Sequence, residues 1–102
     1  GRYLYVGFMC HQVIEKTLKA TIVATSDHAP RSHNLSILAK AAGIYDQMDD
    51  EQKDILDLLE PLNVEARYPT DKERIMKSLT LSRCQDILNQ TKGMMEWIKT
   101  KL

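Results

Sequence analysis

The chain has 102 residues, of which 43% are hydrophobic and 27% are charged, and this balance suits one globular domain and is not typical of disorder. Its 14 basic and 14 acidic side chains cancel, which excludes a general attraction to DNA or to an anionic membrane. Any contact with a polyanion must therefore be local, and no apolar run is long enough to cross a bilayer.

Two features bear on the compartment. The first ten residues lack the basic start and the apolar stretch of a signal peptide. The two cysteines, Cys10 and Cys84, lie on predicted apolar helix faces, where a thiol usually acts as a small hydrophobic group. We therefore expect reduced cysteines and a cytoplasmic protein.

The first predicted element is one long helix from Tyr3 to about Ala24. This segment contains no proline, and its predicted core face has helical spacing and consists of Tyr3, Val6, Cys10, Val13, Ile14, Thr17, Leu18 and Thr21. In its first half the opposite face is also apolar, with Tyr5, Phe8 and Met9 beside Gln12. A helix that is apolar on every side must be covered on every side, so either a neighbouring helix is missing or a second subunit packs here, and we expect a second subunit on these four residues.

A loop over residues 26–34 separates this helix from a short second one. The loop is rich in helix-breaking and capping residues, and either Ser32 or Asn34 can cap the helix that follows. Gly43 is expected to end that helix, because glycine readily adopts the backbone conformation of a helix C-terminus.

A third helix is predicted to start at Asp49, which with Gln52 can form a capping box. Its predicted core residues are Ile55, Leu58, Leu59, Leu62 and Ala66. We expect Pro61 to bend this helix, because proline lacks the helical N–H group. We expect it to end close to Pro69, because proline disfavours helical backbone at the preceding residue.

The last helix has the clearest periodicity in the chain. Its apolar residues step alternately by three and four positions: Leu81, Cys84, Leu88, Thr91, Met95, Ile98 and Leu102. No segment alternates with the period of a strand. The sequence therefore predicts an all-α fold, an antiparallel up-and-down bundle of about four helices that forms one domain over residues 1–102.

Three motifs occur in order along these helices: Gln12-x-x-Glu15-Lys16-x-x-Lys19, then Ser32-His33-Asn34-Leu35, then Ala66-Arg67-Tyr68-Pro69. Together they resemble the HEPN domain family, the higher eukaryote and prokaryote nucleotide-binding domains, from about residue 3 to residue 99. The resemblance implies the same helical bundle. Relatives usually carry one further helix at the N-terminal end, and we expect that helix to be missing here.

Relatives with the Arg67-Tyr68-Pro69 ending are small prokaryotic proteins that form homodimers and pair with a minimal nucleotidyltransferase, often as toxin and antitoxin. The resemblance thus implies a homodimeric accessory or regulatory subunit with that partner, binding a nucleotide or RNA in a polar groove. The implied groove residues are Glu15, Lys16, Lys19, His33, Arg67 and Tyr68. No cofactor, metal ion, membrane or DNA is expected to bind.

Each groove residue also has a structural interpretation. The residues from Gln12 to Lys19 can form a solvated stripe instead of meeting a phosphate. Arg67 can reach into the groove as a two-pronged donor, or it can tie helix ends together with Tyr68. His33 can contact an anion beside free backbone N–H groups, or it can form hydrogen bonds near the helix cap.

An enzymatic alternative comes from other branches of the family, which are metal-independent ribonucleases with an arginine followed four to six residues later by a histidine. Here only one residue separates Arg31 from His33, and no histidine follows Arg67. We therefore predict no catalytic residue, and the alternative is a ribonuclease with an atypical pair such as Arg67 and His33. A metal site at His11 and Glu15 lacks a third clustered ligand.

Overall fold

The computed structural model describes residues 2–25, 30–63, 73, 74, 77 and 79–102. This part of the chain contains four α-helices: α1 (Arg2–Thr25), α2 (Leu35–Ala41), α3 (Asp50–Leu59) and α4 (Leu81–Lys99). Short 3-10 helices follow α2 and α3, and none of the described residues forms a strand. The prediction of an all-α bundle of about four helices is confirmed. None of the described helices is long and apolar enough to span a membrane.

The long helix α1 is the centre of the bundle, because α2, α3 and α4 all pack against it. The described core consists of Cys10, Ile14, Leu18, Ile22, Leu35, Leu38, Ala39, Ile44, Met48, Ile55, Leu56, Leu59, Leu62, Leu79, Cys84, Ile87, Met94 and Ile98. The thiol of Cys84 lies 3.9 Å from the carbonyl oxygen of Tyr3. Farther along the same pair of helices, Thr91 is beside Cys10. The two long helices therefore run in the same direction where they touch.

The buried face of α1 is rotated slightly from the predicted one. Val13 and Thr17 are only half-buried, whereas His11 and Glu15 are buried. The prediction centred the core face on the most apolar row of residues. The actual core face also includes a polar row, because that row meets His33 just before α2 and Glu60 just after α3.

The boundaries of α2 follow the prediction. The Asn34 side chain accepts a hydrogen bond from the Ile37 backbone N–H at 3.0 Å, so Asn34 is the N-cap. The backbone of Gly43, just past the helix, has a φ of 76°. Residues with a side chain rarely adopt this left-handed backbone conformation, which explains why a glycine ends the helix.

The capping box at the start of α3 is confirmed: Asp49 accepts from the Gln52 backbone at 2.8 Å, and Gln52 accepts from the Asp49 backbone at 3.0 Å. The predicted end of α3 near Pro69 is wrong. The α-helix stops at Leu59 and tightens into a 3-10 turn over residues 60–62, because Pro61 has no N–H to continue the α-helical hydrogen bonds. Ala66 and Pro69 lie outside the described residues.

The predicted last helix is confirmed as α4, with Thr80 as its N-cap. Three residues of its predicted core stripe are buried: Cys84, Thr91 and Ile98. The other row differs from the prediction, because Leu81, Leu88 and Leu102 are exposed and Met95 is half-buried. A row that sequence periodicity assigns to the core thus lies at the surface of α4.

We predict that replacing Asp49 with alanine lowers the free energy of unfolding by about 1 kcal/mol, because the capping box loses its acceptor. Urea denaturation followed by circular dichroism would measure this loss. Asp54→Ala is the matched control, since Asp54 is an exposed aspartate in the middle of the same helix. Equal stability of the two variants would contradict the assignment of Asp49 as the cap.

Candidate functional site

A group of polar side chains interrupts the apolar core where α1, the start of α2 and the end of α3 meet. We call it the Glu15 cluster, and it consists of His11, Glu15, Lys19, His33 and Glu60. His11 and Glu15 are only 0% and 4% exposed. Burying ionisable groups costs free energy unless partners satisfy them, so their contacts indicate how the site is held together.

Glu15 is the hub of the cluster. Both of its carboxylate oxygens lie 3.0 Å from Nδ1 of His33, and Oε2 also accepts from Nζ of Lys19 at 3.0 Å. Burial alone would raise the pKa of Glu15, but the hydrogen bonds and positive charges of His33 and Lys19 outweigh it, and the pKa lies below its ordinary value. Glu15 is therefore an ionised carboxylate at neutral pH.

The ionised carboxylate fixes the protonation pattern of His33. A carboxylate can only accept hydrogen bonds, so Nδ1 of His33 must carry the proton that it shares with Glu15. The rest of the His33 side chain is exposed. In neutral His33, Nε2 therefore has a free lone pair that is available to solvent, to a ligand or to a transferable proton.

His11 occupies the buried centre of the cluster. Its Nδ1 lies 3.7 Å from Glu15 and its Nε2 lies 3.9 Å from Glu60. The His33 backbone also lies near the ring, but neither ring nitrogen makes a close hydrogen bond within the described residues. Burial lowers the pKa of His11 below its ordinary value, and the nearby charges of Glu60 and Glu15 only partly offset this effect. His11 is therefore neutral near neutral pH.

Glu60 joins the end of α3 to the start of α2. Its second carboxylate oxygen accepts from the Leu35 backbone N–H at 3.0 Å. Ser32 accepts from the Asn34 backbone, and Asn34 accepts from Ile37. Side chains thus already satisfy the N–H groups of Asn34, Leu35 and Ile37, and the contact of His33 with Glu15 favours the alternative that His33 forms hydrogen bonds near the helix cap.

The structure brings together three of the six predicted groove residues, namely Glu15, Lys19 and His33. Lys16 is exposed on α1 one turn before Lys19. The interpretation of Glu15 as part of a solvated stripe is wrong, because the side chain points into the bundle. Arg67 and Tyr68 lie outside the described residues, so their predicted roles stay predictions.

The predicted subunit contact lies at the beginning of α1. Tyr5 and Met9 are exposed, whereas Phe8 and Gln12 are half-buried. Two large apolar side chains are therefore open to solvent one helical turn apart. Whether a second subunit covers them remains a prediction.

Sequence reasoning did not place His11 and Glu60 in the site. His11 lies four residues before Glu15 and seven before Leu18, so it shares the inward face of α1 with them. Glu60 lies four residues after the buried Leu56, so it follows the core face of α3. These spacings were visible in the sequence, but the meeting of the two faces depends on how the helices pack.

The cluster supports two kinds of chemistry. Lys19 and His33 present nitrogen donors on the same carboxylate, and Lys16 is exposed one turn before Lys19, which suits a phosphate group. His33 also has the carboxylate-oriented geometry of a proton-transferring histidine. Within the described ranges, no three His, Cys, Asp or Glu side chains are arranged to hold a metal ion.

We predict that the free energy of unfolding rises between about pH 5 and about pH 7 and that His11→Gln removes part of this rise. The unfolded chain protonates His11 near its ordinary pKa of 6.5, above its folded value, so stability is lost as pH falls below 6.5. One proton changes the slope by at most about 1.4 kcal/mol per pH unit. Urea denaturation across this range would measure it.

Glu15 supplies an internal control for this experiment. Its pKa in the folded state is below the ordinary 4.5, so its contribution is present above pH 4.5 and is lost only as pH falls further. This acid loss is expected in both proteins. Identical slopes of wild type and His11→Gln between about pH 5 and about pH 7 would contradict the assignment of His11.

Comparisons with known proteins agree with the fold and with the motifs. The sequence model of the HEPN domain matches residues 1–101. Searches of curated proteins and of solved structures found no significant match. Because the match covers nearly the whole chain, and the structure has the helical bundle that the three motifs imply, the chain belongs to the HEPN domain family.

Proposed function

We propose that this HEPN domain is an accessory or regulatory subunit that binds a phosphate group of a nucleotide or RNA through Lys16, Lys19 and His33. The observation that carries the proposal is the buried Glu15 carboxylate, which holds Lys19 and His33 3.0 Å from its oxygens and so keeps both near one surface point. Side chains that are already held in place lose little conformational entropy on binding a ligand.

The donors at the surface of the site favour an anion, although Glu60 adds a second carboxylate to the Glu15 cluster. The negative charge of Glu15 balances that of Lys19. Lys16 adds a positive charge at the surface, and His33 adds another when it is protonated. Arg67 and Tyr68, which the motif resemblance assigns to the same groove, would supply a two-pronged donor and an aromatic hydroxyl.

The proposed assembly is a homodimer with a minimal nucleotidyltransferase as its partner, in a pair of the toxin–antitoxin type. Membership of the HEPN family supports the partner, because members commonly pair with nucleotidyltransferases. The exposed Tyr5 and Met9 support a subunit contact on α1, since adjacent large apolar side chains at a surface often mark an interface.

We predict that the chain binds short fluorescein-labelled oligouridine, with ATP as competitor, and that Lys16→Ala and His33→Ala each weaken binding. Loss of one phosphate contact should reduce the slope of binding against salt concentration by about one. Fluorescence anisotropy at several salt concentrations would measure both quantities. Lys92→Ala is the matched control, because it removes an exposed lysine from another helix.

Two outcomes would contradict the proposed site. One is that neither the RNA nor ATP binds to the chain. The other is that Lys16→Ala and Lys92→Ala have equal effects, because the binding would then reflect charge in general and not the Glu15 cluster.

A metal-independent ribonuclease is the second candidate, and one observation favours it. Glu15 fixes the proton of His33 on Nδ1, so Nε2 of neutral His33 can act as a general base on a side chain that is 68% exposed. In this function Nε2 would take the proton of the ribose 2′-hydroxyl that attacks the adjacent phosphate, and Arg67 would stabilise the developing charge. The bond from phosphorus to the 5′-oxygen of the next nucleotide would break, and that oxygen would take a proton from the protonated His33 or from water, leaving a cyclic phosphate.

For this second candidate, we predict that the chain cuts labelled RNA in EDTA and that His33→Gln and Arg67→Ala each slow cleavage at least about 100-fold. Gel electrophoresis of the products would give the rates. Lys92→Ala should cut at the wild-type rate. RNA that is bound but stays intact after long incubation would eliminate the ribonuclease and leave the phosphate-binding proposal standing.

A further inference from the structure

Helix α4 carries a row of apolar side chains that the bundle leaves at its surface. We call it the α4 row, and it consists of Leu81, Leu88 and Met95, each seven residues after the one before. Leu81 and Leu88 are 58% and 48% exposed, and Met95 is half-buried at the edge of the core. The three side chains span about 21 Å along one side of the helix, since each residue rises about 1.5 Å.

The α4 row is one half of a coiled-coil pattern. The other half, formed by Cys84, Thr91 and Ile98, is buried inside the bundle. A helix that only had to pack on its own domain would need one apolar stripe. Here a second row, with seven-residue spacing, lies beside the first and matches the repeat by which one helix packs along another.

The charged residues that directly border the α4 row are lysines. Lys92 lies four residues after Leu88, and Lys99 lies four residues after Met95, so both lysines border the row on its outer side. Neither lysine has an ion-pair partner within the part of the chain that the structure describes. Glu96 is the nearest acidic residue on that side, one position farther around the helix.

We infer that the α4 row binds an amphipathic helix of a partner protein, with leucines or similar residues facing the row and acidic residues facing Lys92 and Lys99. The apolar spacing favours a helix as the partner element, and the two lysines, which have no ion-pair partner among the described residues, favour a negative charge on it. A second copy of this chain fits less well, because it would offer lysines beside its own α4 row in place of the acidic residues that Lys92 and Lys99 favour.

This inference does not depend on the proposed phosphate site. The α4 row lies on a different helix from Glu15, Lys16 and Lys19, and its partner is recognised by leucine spacing and acidic charge. The predicted subunit contact is on α1, which packs against α4. Failure of RNA binding would therefore leave this inference intact, and its failure would leave the phosphate site intact.

The test uses two fluorescein-labelled synthetic helical peptides with the same leucine row, one with glutamates and one with lysines beside the leucines. The wild-type chain should bind the glutamate peptide at least about tenfold more tightly than the lysine peptide in fluorescence anisotropy. The double variant Lys92→Glu, Lys99→Glu should reverse this preference. A reversal would show that these two charges, and not nonspecific hydrophobic binding, select the partner.

The variant Leu88→Glu should lose binding of the glutamate peptide, because it places a charge in the middle of the α4 row. Ile37→Glu is the matched control, since Ile37 is an exposed apolar residue on α2, and it should bind as wild type. Equal binding of both peptides, or of neither, would overturn the inference. So would a wild-type dimer in light scattering that Leu88→Glu dissociates and Tyr5→Glu does not, because a second copy would then occupy the row.

Discussion

The carboxylate of Glu15 is the group on which the arrangement of this domain's polar interior depends. It is buried next to the apolar core, yet it remains ionised, because His33 and Lys19 supply the donors that water would otherwise provide. These contacts fasten the loop before α2 to the centre of α1. The same contacts position the exposed groups with which the domain could meet a phosphate.

His11 and Glu60 extend this polar interior through the bundle. Glu60 accepts from the start of α2 and lies near His11, and His11 lies between two carboxylates without a close hydrogen bond among the described residues. Protonation of His11 would place a positive charge between two negative ones, but at a desolvation cost that keeps its pKa low. The junction of three helices therefore contains a histidine that is neutral near neutral pH and gains a proton only at lower pH.

Local sequence signals predicted local structure well. The caps at Asn34 and Asp49 and the stop at Gly43 act through bonds and torsions within a few residues, so they could be identified without the fold. The HEPN motifs likewise identified the family and brought Glu15, Lys19 and His33 into one predicted site. The early end of α3 differs from the prediction. Pro61 indicates either a bend or an end of a helix, and the sequence predicted a bend, whereas the α-helix ends at Leu59.

By itself the sequence determined the helical class, most helix boundaries and the residue types available to the site, because these follow from periodicity, capping and composition. Only the tertiary structure decided which faces became interior. It turned His11 and Glu15 inward and left Leu81 and Leu88 at the surface. The spacing of the two leucines had predicted that they would be buried. The physical reason is that burial depends on which groups the neighbouring helices offer, and such partners can be distant in sequence.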